Sequence, residues 1–229
     1  MRIIVIPAYN EEKTIFPVVR SAIGYADRVV VVDDGSKDRT ASMAAAAGAT
    51  VVRHAINRGL GGALGTGIAA ALRLGADAIV TMDADGQHRI EDAVRLFDRL
   101  DEGDVDFVIG SRMLEGPSCL PAGAMGMPWH RRAANMFGNL LTWALFGLWV
   151  TDSQGGLRAM TREAAARIEL KTNRMEVSSE FVKEIKDKHL RFTEIPITVI
   201  YTAYSLSKGQ GFLTGLKTAT KLVLRRLID

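Results

Sequence analysis

The run Ala78-Ile79-Val80-Thr81-Met82, followed at once by Asp83-Ala84-Asp85-Gly86-Gln87-His88, decides how this chain reads. A short apolar run ending in polar residues predicts a buried strand. Open α/β sheets place their ligands outside the carboxyl ends of such strands. Asp83 and Asp85 stand at i and i+2 on a short tip that contains a glycine, so their carboxylates can converge on one point. Two close carboxylates repel unless a cation lies between them, and hard oxygen ligands suit Mg²⁺ or Mn²⁺. Gln87 adds a neutral oxygen and His88 a nitrogen. Such an ion keeps waters and draws its remaining ligands from substrate phosphates. Taken alone, the same pattern describes a solvated turn equally well.

Outward from this tip, three further junctions repeat the design. Ile3-Ile4-Val5-Ile6 runs into Pro7-Ala8-Tyr9-Asn10-Glu11-Glu12, Val29-Val30-Val31-Val32 into Asp33-Asp34-Gly35-Ser36, and Phe107-Val108-Ile109-Gly110 into Ser111-Arg112. β-Branched runs with polar tips, mostly followed by helical patterns, predict parallel strands with crossover helices. All four tips are then expected along one edge of one sheet. The spacing predicts strands at 3–7, 28–33, 50–54, 78–83 and 106–110, with helices at 11–23, 37–47, 61–74 and 90–100. The alternation stops there. Residues 116–128 hold three prolines and three glycines and read as a loop. An apolar helix at 133–150, a helix near 178–188, a strand at 192–201 and a basic helix from 212 onward complete the path.

Composition narrows the class. At 229 residues the chain reads as one large domain or one and a half. The content of 48% hydrophobic and 24% charged residues is ordinary for an α/β protein. The formal charge of +3 is small, and no nucleic-acid partner is expected. Cys119 stands alone, which excludes an internal disulfide and suits a reducing compartment. Met1 leads straight into a strand, so no leader is expected, and the location expected is the cytoplasm.

Asp33-Asp34-Gly35-Ser36 reads as a helix-capping turn or as a tip that accepts hydrogen bonds from a base or ribose. Asn57-Arg58-Gly59-Leu60-Gly61-Gly62-Ala63-Leu64-Gly65-Thr66-Gly67 lacks the ending of a P-loop and the G-x-G-x-x-G spacing. It resembles a phosphate cradle, and direct phosphate contact is the lesser of two readings; its glycines are expected first to let a helix pack closely on the sheet beside the nucleotide. Arg112, Arg131, Arg132 and Lys208 stand where they could ring an anion, and arginine forks fit phosphate oxygens; the alternative for Arg131 and Arg132 is that they only meet solvent near Trp129. The helix at 133–150 carries no charge but has Asn135, Asn139 and Thr142 as a polar stripe. Its eighteen residues would span about 27 Å against a bilayer core of about 30 Å. It is expected to lie at a membrane interface or against the sheet. Lys217, Lys221 and Arg225 follow at i+4 steps on the last helix, which suits an anionic membrane surface or a solvated face.

In order and spacing these motifs resemble the family-2, GT-A-fold glycosyltransferases. The resemblance is strongest to the dolichol-phosphate mannosyltransferase and polyprenyl-phosphate glycosyltransferase branch. Gly110-Ser111-Arg112, Arg131-Arg132, Thr151-Asp152-Ser153-Gln154-Gly155-Gly156-Leu157-Arg158, Glu194-Ile195-Pro196-Ile197 and Tyr204-Ser205-Leu206-Ser207-Lys208-Gly209 extend it over nearly the whole chain. The resemblance implies a single domain with a Rossmann-like, mostly parallel α/β sheet flanked by helices, 1–112 being a nucleotide-sugar-binding half and 113–229 a C-terminal acceptor-side half. It implies a nucleotide-diphosphate sugar donor of the GDP-mannose or UDP-glucose class, Mg²⁺ or Mn²⁺, and inverting transfer of a hexose to a polyprenyl phosphate. Pro7, Ala8, Tyr9, Glu11 and Asp34 match the nucleoside cradle. Asp83, Asp85 and Gln87 match the metal side, and Arg112 and Arg131 the lipid-phosphate side. Lys208 is assigned with the donor-binding residues. Asp152 is a candidate for orienting donor hydroxyls or the acceptor. Gly155-Gly156-Leu157 departs from the Gly-Phe pattern frequent in that branch. A peripheral seat on the cytoplasmic face of a membrane and a homo-oligomer are further expectations. Two competing readings stay open: a glycosyltransferase of the same fold acting on a hydroxyl, and a nucleotide-sugar binder without turnover. Nucleotidyl transfer would want a glycine-rich basic first loop, which Pro7 to Glu12 does not supply.

Overall fold

A computed structural model of the chain describes residues 1–114 and 129–200. The elements are β1 (Arg2–Ala8), α1 (Ile15–Ala22), β2 (Arg28–Asp33), α2 (Thr40–Ala46), β3 (Thr50–Arg53), α3 (Leu60–Arg73), β4 (Ala78–Thr81), α4 (Ile90–Asp101), β5 (Phe107–Ser111), α5 (Trp129–Phe146), β6 (Arg158–Thr161), α6 (Arg162–Arg167), α7 (Val177–Asp187) and β7 (Phe192–Pro196). One seven-stranded sheet runs in the order β3-β2-β1-β4-β6-β5-β7. β1 pairs in parallel with β2 on one side and β4 on the other, so the chain reverses its direction of growth beside β1. That switch point opens a crevice at the carboxyl ends of β1 and β4, where such sheets bind ligands.

The central strands bury both faces. Ile4 and Ile6 of β1, with Val29 and Val31 of β2, pack with α1, α2 and α4. The alternate residues Ile3, Val5, Val30 and Val32 pack with α3, α6 and α7. Period-two alternation thus serves two apolar layers, and the strands read as continuous apolar runs. Gly67 brings α3 close: a Cβ there would stand 2.3 Å from Val5 Cγ1 and 3.1 Å from Val32 Cγ2. The glycines at the start of α3 also serve packing. A Cβ on Gly61 would stand 1.9 Å from the Thr172 carbonyl oxygen, and the Gly61 amide donates to the Asn173 carbonyl at 3.0 Å.

The mostly parallel α/β sheet is as the sequence predicts, with three differences. β6 enters antiparallel between β4 and β5, and α6 follows it directly; neither is expected from pattern. β6 has four residues, begins with a buried arginine and has no β-branched run, so nothing in its periodicity marks it. β7 ends at Pro196 rather than continuing to 201. The apolar helix runs from Trp129 to Phe146, four residues earlier than predicted. Gly147 at φ +68° ends it, with its amide donating to the Trp143 carbonyl. The loop at 116–128, Cys119, Lys208, Lys217, Lys221 and Arg225 lie outside the described residues.

Candidate active site

The tips of β1 and β2 are tied into one cradle. Ala8 pairs with Asp33, and the Asp34 amide donates to the Ala8 carbonyl at 2.8 Å. Beyond β1 the chain turns through Asn10 at φ +55°. Its amide donates to Ser36 Oγ (2.9 Å), the Lys37 amide donates to Asn10 Oδ1 (2.9 Å), and the Glu11 amide donates to Thr40 Oγ1 (2.8 Å). Tyr9 is left exposed on this rim. Asp34 is buried and accepts from the amides of Arg58 (2.8 Å) and Gly59 (2.7 Å). The ring Nδ1 of His54 stands 2.7 Å from the same carboxylate, and its Nε2 lies 3.0 Å from Thr66 Oγ1 on α3. Asp33 accepts from the Ser36 amide at 3.1 Å, and Arg53 Nε stands 3.0 Å from its second oxygen without hydrogen-bonding alignment. Pro7, Ala8, Tyr9, Glu11 and Asp34 are therefore neighbours at one sheet edge. Sequence reading missed His54, because a lone histidine after a strand carries no signal until the fold sets it against Asp34.

β4 delivers Asp83 and Asp85 beside this cradle, where Met82 still donates to the Val5 carbonyl. His88 Nε2 lies 3.2 Å from Asp83 Oδ2, and the Gln87 amide donates to Asp85 Oδ1 at 3.0 Å. The His88 Nδ1 atom is buried with no hydrogen-bond partner among the described residues. The Ile200 amide donates to the Gln87 carbonyl and fixes the turn from outside. The Asp83 side chain keeps 40% of its surface accessible. Burial raises its carboxyl, but His88, Arg158 and Arg112 outweigh that and hold it below the usual carboxylate range. Burial and then the charge of Asp83 push Asp85 the other way, upward. A like-charged pair split in this manner is what a cation between the two would relieve. No group of three or more His, Cys, Asp or Glu side chains forms a complete metal cage among the described residues. Two carboxylates and Gln87 fit a Mg²⁺ or Mn²⁺ ion that is completed by water and phosphate.

Within Gly155-Gly156-Leu157, Gly156 is required sterically. A Cβ there would fall 2.0 Å from Asp83 Oδ2, so the carboxylate occupies the space of the missing side chain. Thr81 Oγ1 donates to the Gly156 carbonyl at 3.0 Å and holds the two strands in that relation.

Beside this pair lies an arginine clamp. Asp152 is fully buried and takes Arg112 in a bidentate grip, Nε to Oδ2 at 2.6 Å and Nη2 to Oδ1 at 2.8 Å; the Arg112 amide adds a third bond at 3.0 Å. Asn135 Nδ2 donates to Asp152 Oδ1 at 3.0 Å. Burial raises the Asp152 carboxyl, but Arg112 and Asn135 bring it below the ordinary range. The turn that carries Asp152 is pinned by Glu194 of β7, which accepts from the Thr151 amide and hydroxyl at 2.9 Å. Asn139 and Thr142 face inward as well. Asn139 Oδ1 accepts from the Ser153 amide at 2.9 Å, and Thr142 Oγ1 lies 2.9 Å from Ser179 Oγ. The polar stripe of α5 is therefore its buried face. Arg131 precedes Asn135 by four residues, which sets it on that same face and half-buried, whereas Arg132 is exposed. Arg112, held by Asp152, thus lies within electrostatic reach of Asp83, and Arg131 shares the α5 face that meets Asp152.

Comparison with known proteins gives the family and the fold. Residues 3–168 match the family model described as Glycosyl transferase family 2. The UDP-N-acetylglucosamine–dolichyl-phosphate N-acetylglucosaminyltransferase of Methanococcus voltae is 34% identical over 98% of this chain and 95% of its own length. The undecaprenyl-phosphate mannosyltransferase of Micrococcus luteus is 33% identical over 94% of this chain and 90% of its own. Glucosyl-3-phosphoglycerate synthase from Mycobacterium tuberculosis, solved with Mn²⁺, UDP-glucose and phosphoglyceric acid, superposes with a TM-score of 0.72 at 19% identity, covering 99% of this chain and 79% of that one. This last likeness shows the GT-A fold. The N-acetylglucosamine in the first name lies outside the mannose and glucose pair expected from sequence.

Proposed function

This chain belongs to glycosyl transferase family 2, and we propose that it moves a hexosyl unit from a nucleoside-diphosphate sugar to a polyprenyl phosphate, with inversion. The observation that carries the reading is the buried Asp152 holding the Arg112 guanidinium next to the Asp83–Asp85 tip, with Arg131 on the facing side of α5. A lipid phosphate monoester is already mostly anionic at pH 7. It needs a positioned cationic seat more than a general base. One of its oxygens attacks the anomeric carbon, the bond from that carbon to the donor β-phosphate oxygen breaks, and the electron pair leaves with the nucleoside diphosphate. Asp83, Asp85 and Gln87 would hold Mg²⁺ or Mn²⁺, which supplies charge neutralisation for the leaving diphosphate. Pro7, Ala8, Tyr9, Glu11 and Asp34 would seat the nucleoside. Asp152 is committed to Arg112 and acts as a positioning residue. The polyprenyl phosphates named for two relatives support this acceptor class.

The test is transfer by the purified full chain from UDP-glucose, UDP-N-acetylglucosamine and GDP-mannose to dolichyl or undecaprenyl phosphate. The expected result is an acid-labile lipid-linked sugar from one of these donors, formed only with Mg²⁺ or Mn²⁺. Donor hydrolysis alone, or transfer only to a hydroxyl acceptor, would overturn the acceptor assignment.

The same reading proposes a peripheral seat on the cytoplasmic face of a membrane. No helix among the described residues is long and apolar enough to cross one. α5 supports the seat differently, since it buries its polar stripe and turns Met136, Phe137, Leu140 and Trp143 outward, each between 47% and 59% exposed. Trp143 stacks edge-on against Trp149, and aromatic rings of this kind suit a headgroup boundary. The chain is expected to float with anionic liposomes and to retain part of that binding in high salt, because apolar contact is not screened. Phe137→Glu with Trp143→Glu should remove the salt-resistant part. Flotation that is lost entirely in salt, with the double variant unchanged, would move the seat away from α5.

A further inference from the structure

Arg158 opens β6 between Thr81 of β4 and Ile109 of β5, and only 2% of it is exposed. Its guanidinium lies 4.8 Å over the Phe181 ring of α7, and Nη2 donates to the Ser153 carbonyl at 3.3 Å. Two residues earlier stands Gly156, against which the Asp83 carboxylate is pressed. Ser153, which Arg158 holds, directly follows Asp152. A buried cation therefore lies within electrostatic reach of the carboxylate of the donor side and of the carboxylate that anchors the acceptor arginine. The charges of both Asp83 and Asp152 act on it, partly offsetting the burial that draws its guanidinium down to about 10. Burying a cation is costly, and a residue serving only to pack between β6 and α7 would be apolar.

We infer that Arg158 is a positioning residue that sets the strength of the divalent-cation site from behind, weakening it so that the metal–diphosphate product leaves. The inference rests on the metal reading above. Arg158 neutralises part of the Asp83 charge through protein rather than solvent. A divalent ion between Asp83 and Asp85 meets a smaller negative potential, and the nucleoside diphosphate it carries is held less tightly after transfer. Without Arg158 the ion should bind more tightly and product release should slow.

The experiment is Mn²⁺ titration by electron paramagnetic resonance, with UDP or GDP present, at fixed pH and ionic strength. Arg158→Met is expected to lower the apparent Kd for Mn²⁺ on the order of tenfold. Arg158→Lys, which keeps the charge, should stay within about twofold. In turnover, the KM for donor and kcat should fall together in Arg158→Met, and inhibition by nucleoside diphosphate should strengthen. A packing lesion would move Kd the other way, because a displaced Asp83 binds metal worse. Arg158→Gln keeps a donor for the Ser153 carbonyl and carries the same expectation if the Met variant does not fold. Unchanged or weaker Mn²⁺ binding in a folded Met or Gln variant overturns the role of Arg158 alone. Absence of nucleotide-dependent Mn²⁺ binding in the parent chain overturns the metal reading itself, and the inference with it.

Discussion

Asp85→Ala is expected to lose on the order of a thousandfold in kcat/KM for sugar transfer while folding as well as the parent chain. The loss follows from the leaving group: a nucleoside diphosphate departs readily only if its developing charge is neutralised, and Asp85 is one of two carboxylates placed to hold the ion that does so. The retained fold follows from the electrostatics of the pair. Burial and then the Asp83 charge raise the Asp85 carboxyl above its ordinary range. A carboxyl raised in the folded state costs stability once the pH exceeds its unfolded value, because the fold then carries a charge it disfavours. At neutral pH without metal, the variant should therefore melt at or above the temperature of the parent. Mn²⁺ with nucleoside diphosphate should raise the parent's Tm by mass action and raise the variant's much less. Full transfer by Asp85→Ala, or by the parent in excess chelator, would remove the metal from the mechanism.

The strand tips that place Asp85 were legible because each follows a β-branched run, and burial on both faces demands such runs. Ile3 to Ile6, Val29 to Val32 and Ile79 to Thr81 all read as strands and are strands. What pattern did not reveal depends on approach between distant segments. Arg112 meets Asp152 across forty residues and Thr151 meets Glu194 across 43. Neither partner carries a local sign of the other. β6 escaped notice because its first residue is a buried arginine, which any hydropathy pattern reads as exposed. The stripe of α5 shows the same limit from another side. Asn135, Asn139 and Thr142 mark a helix with one polar face, and sequence alone does not say whether that face meets water or protein. Here it meets Asp152, Ser153 and Ser179, so the apolar face is the one left outside.

That inversion also places the residue on which the acceptor assignment turns. Arg131→Ala is expected to reduce kcat/KM for polyprenyl phosphate by about tenfold to a hundredfold, since a charge-assisted hydrogen bond is worth roughly 1.5–3 kcal/mol. Affinity for the nucleoside diphosphate should stay at the parent value, because the donor is seated by the strand tips and the metal. Arg131 is a cleaner test than Arg112. Removing Arg112 would leave the buried Asp152 without its counter-charge, a lesion that costs about 3–5 kcal/mol in comparable pairs and would mix stability with function. Arg131 is half-buried in the first turn of α5, one helical turn before Asn135. Arg131→Lys should recover only part of the loss, as an ammonium keeps the charge but lacks the planar fork that meets two phosphate oxygens. If Arg131→Ala instead weakens nucleotide binding alone, the arginine belongs to the donor diphosphate. If neither constant moves, the cationic seat for a lipid phosphate loses its second member. Arg112, already engaged by Asp152, would not by itself account for a phosphate acceptor, and a hydroxyl acceptor becomes the better reading of the site.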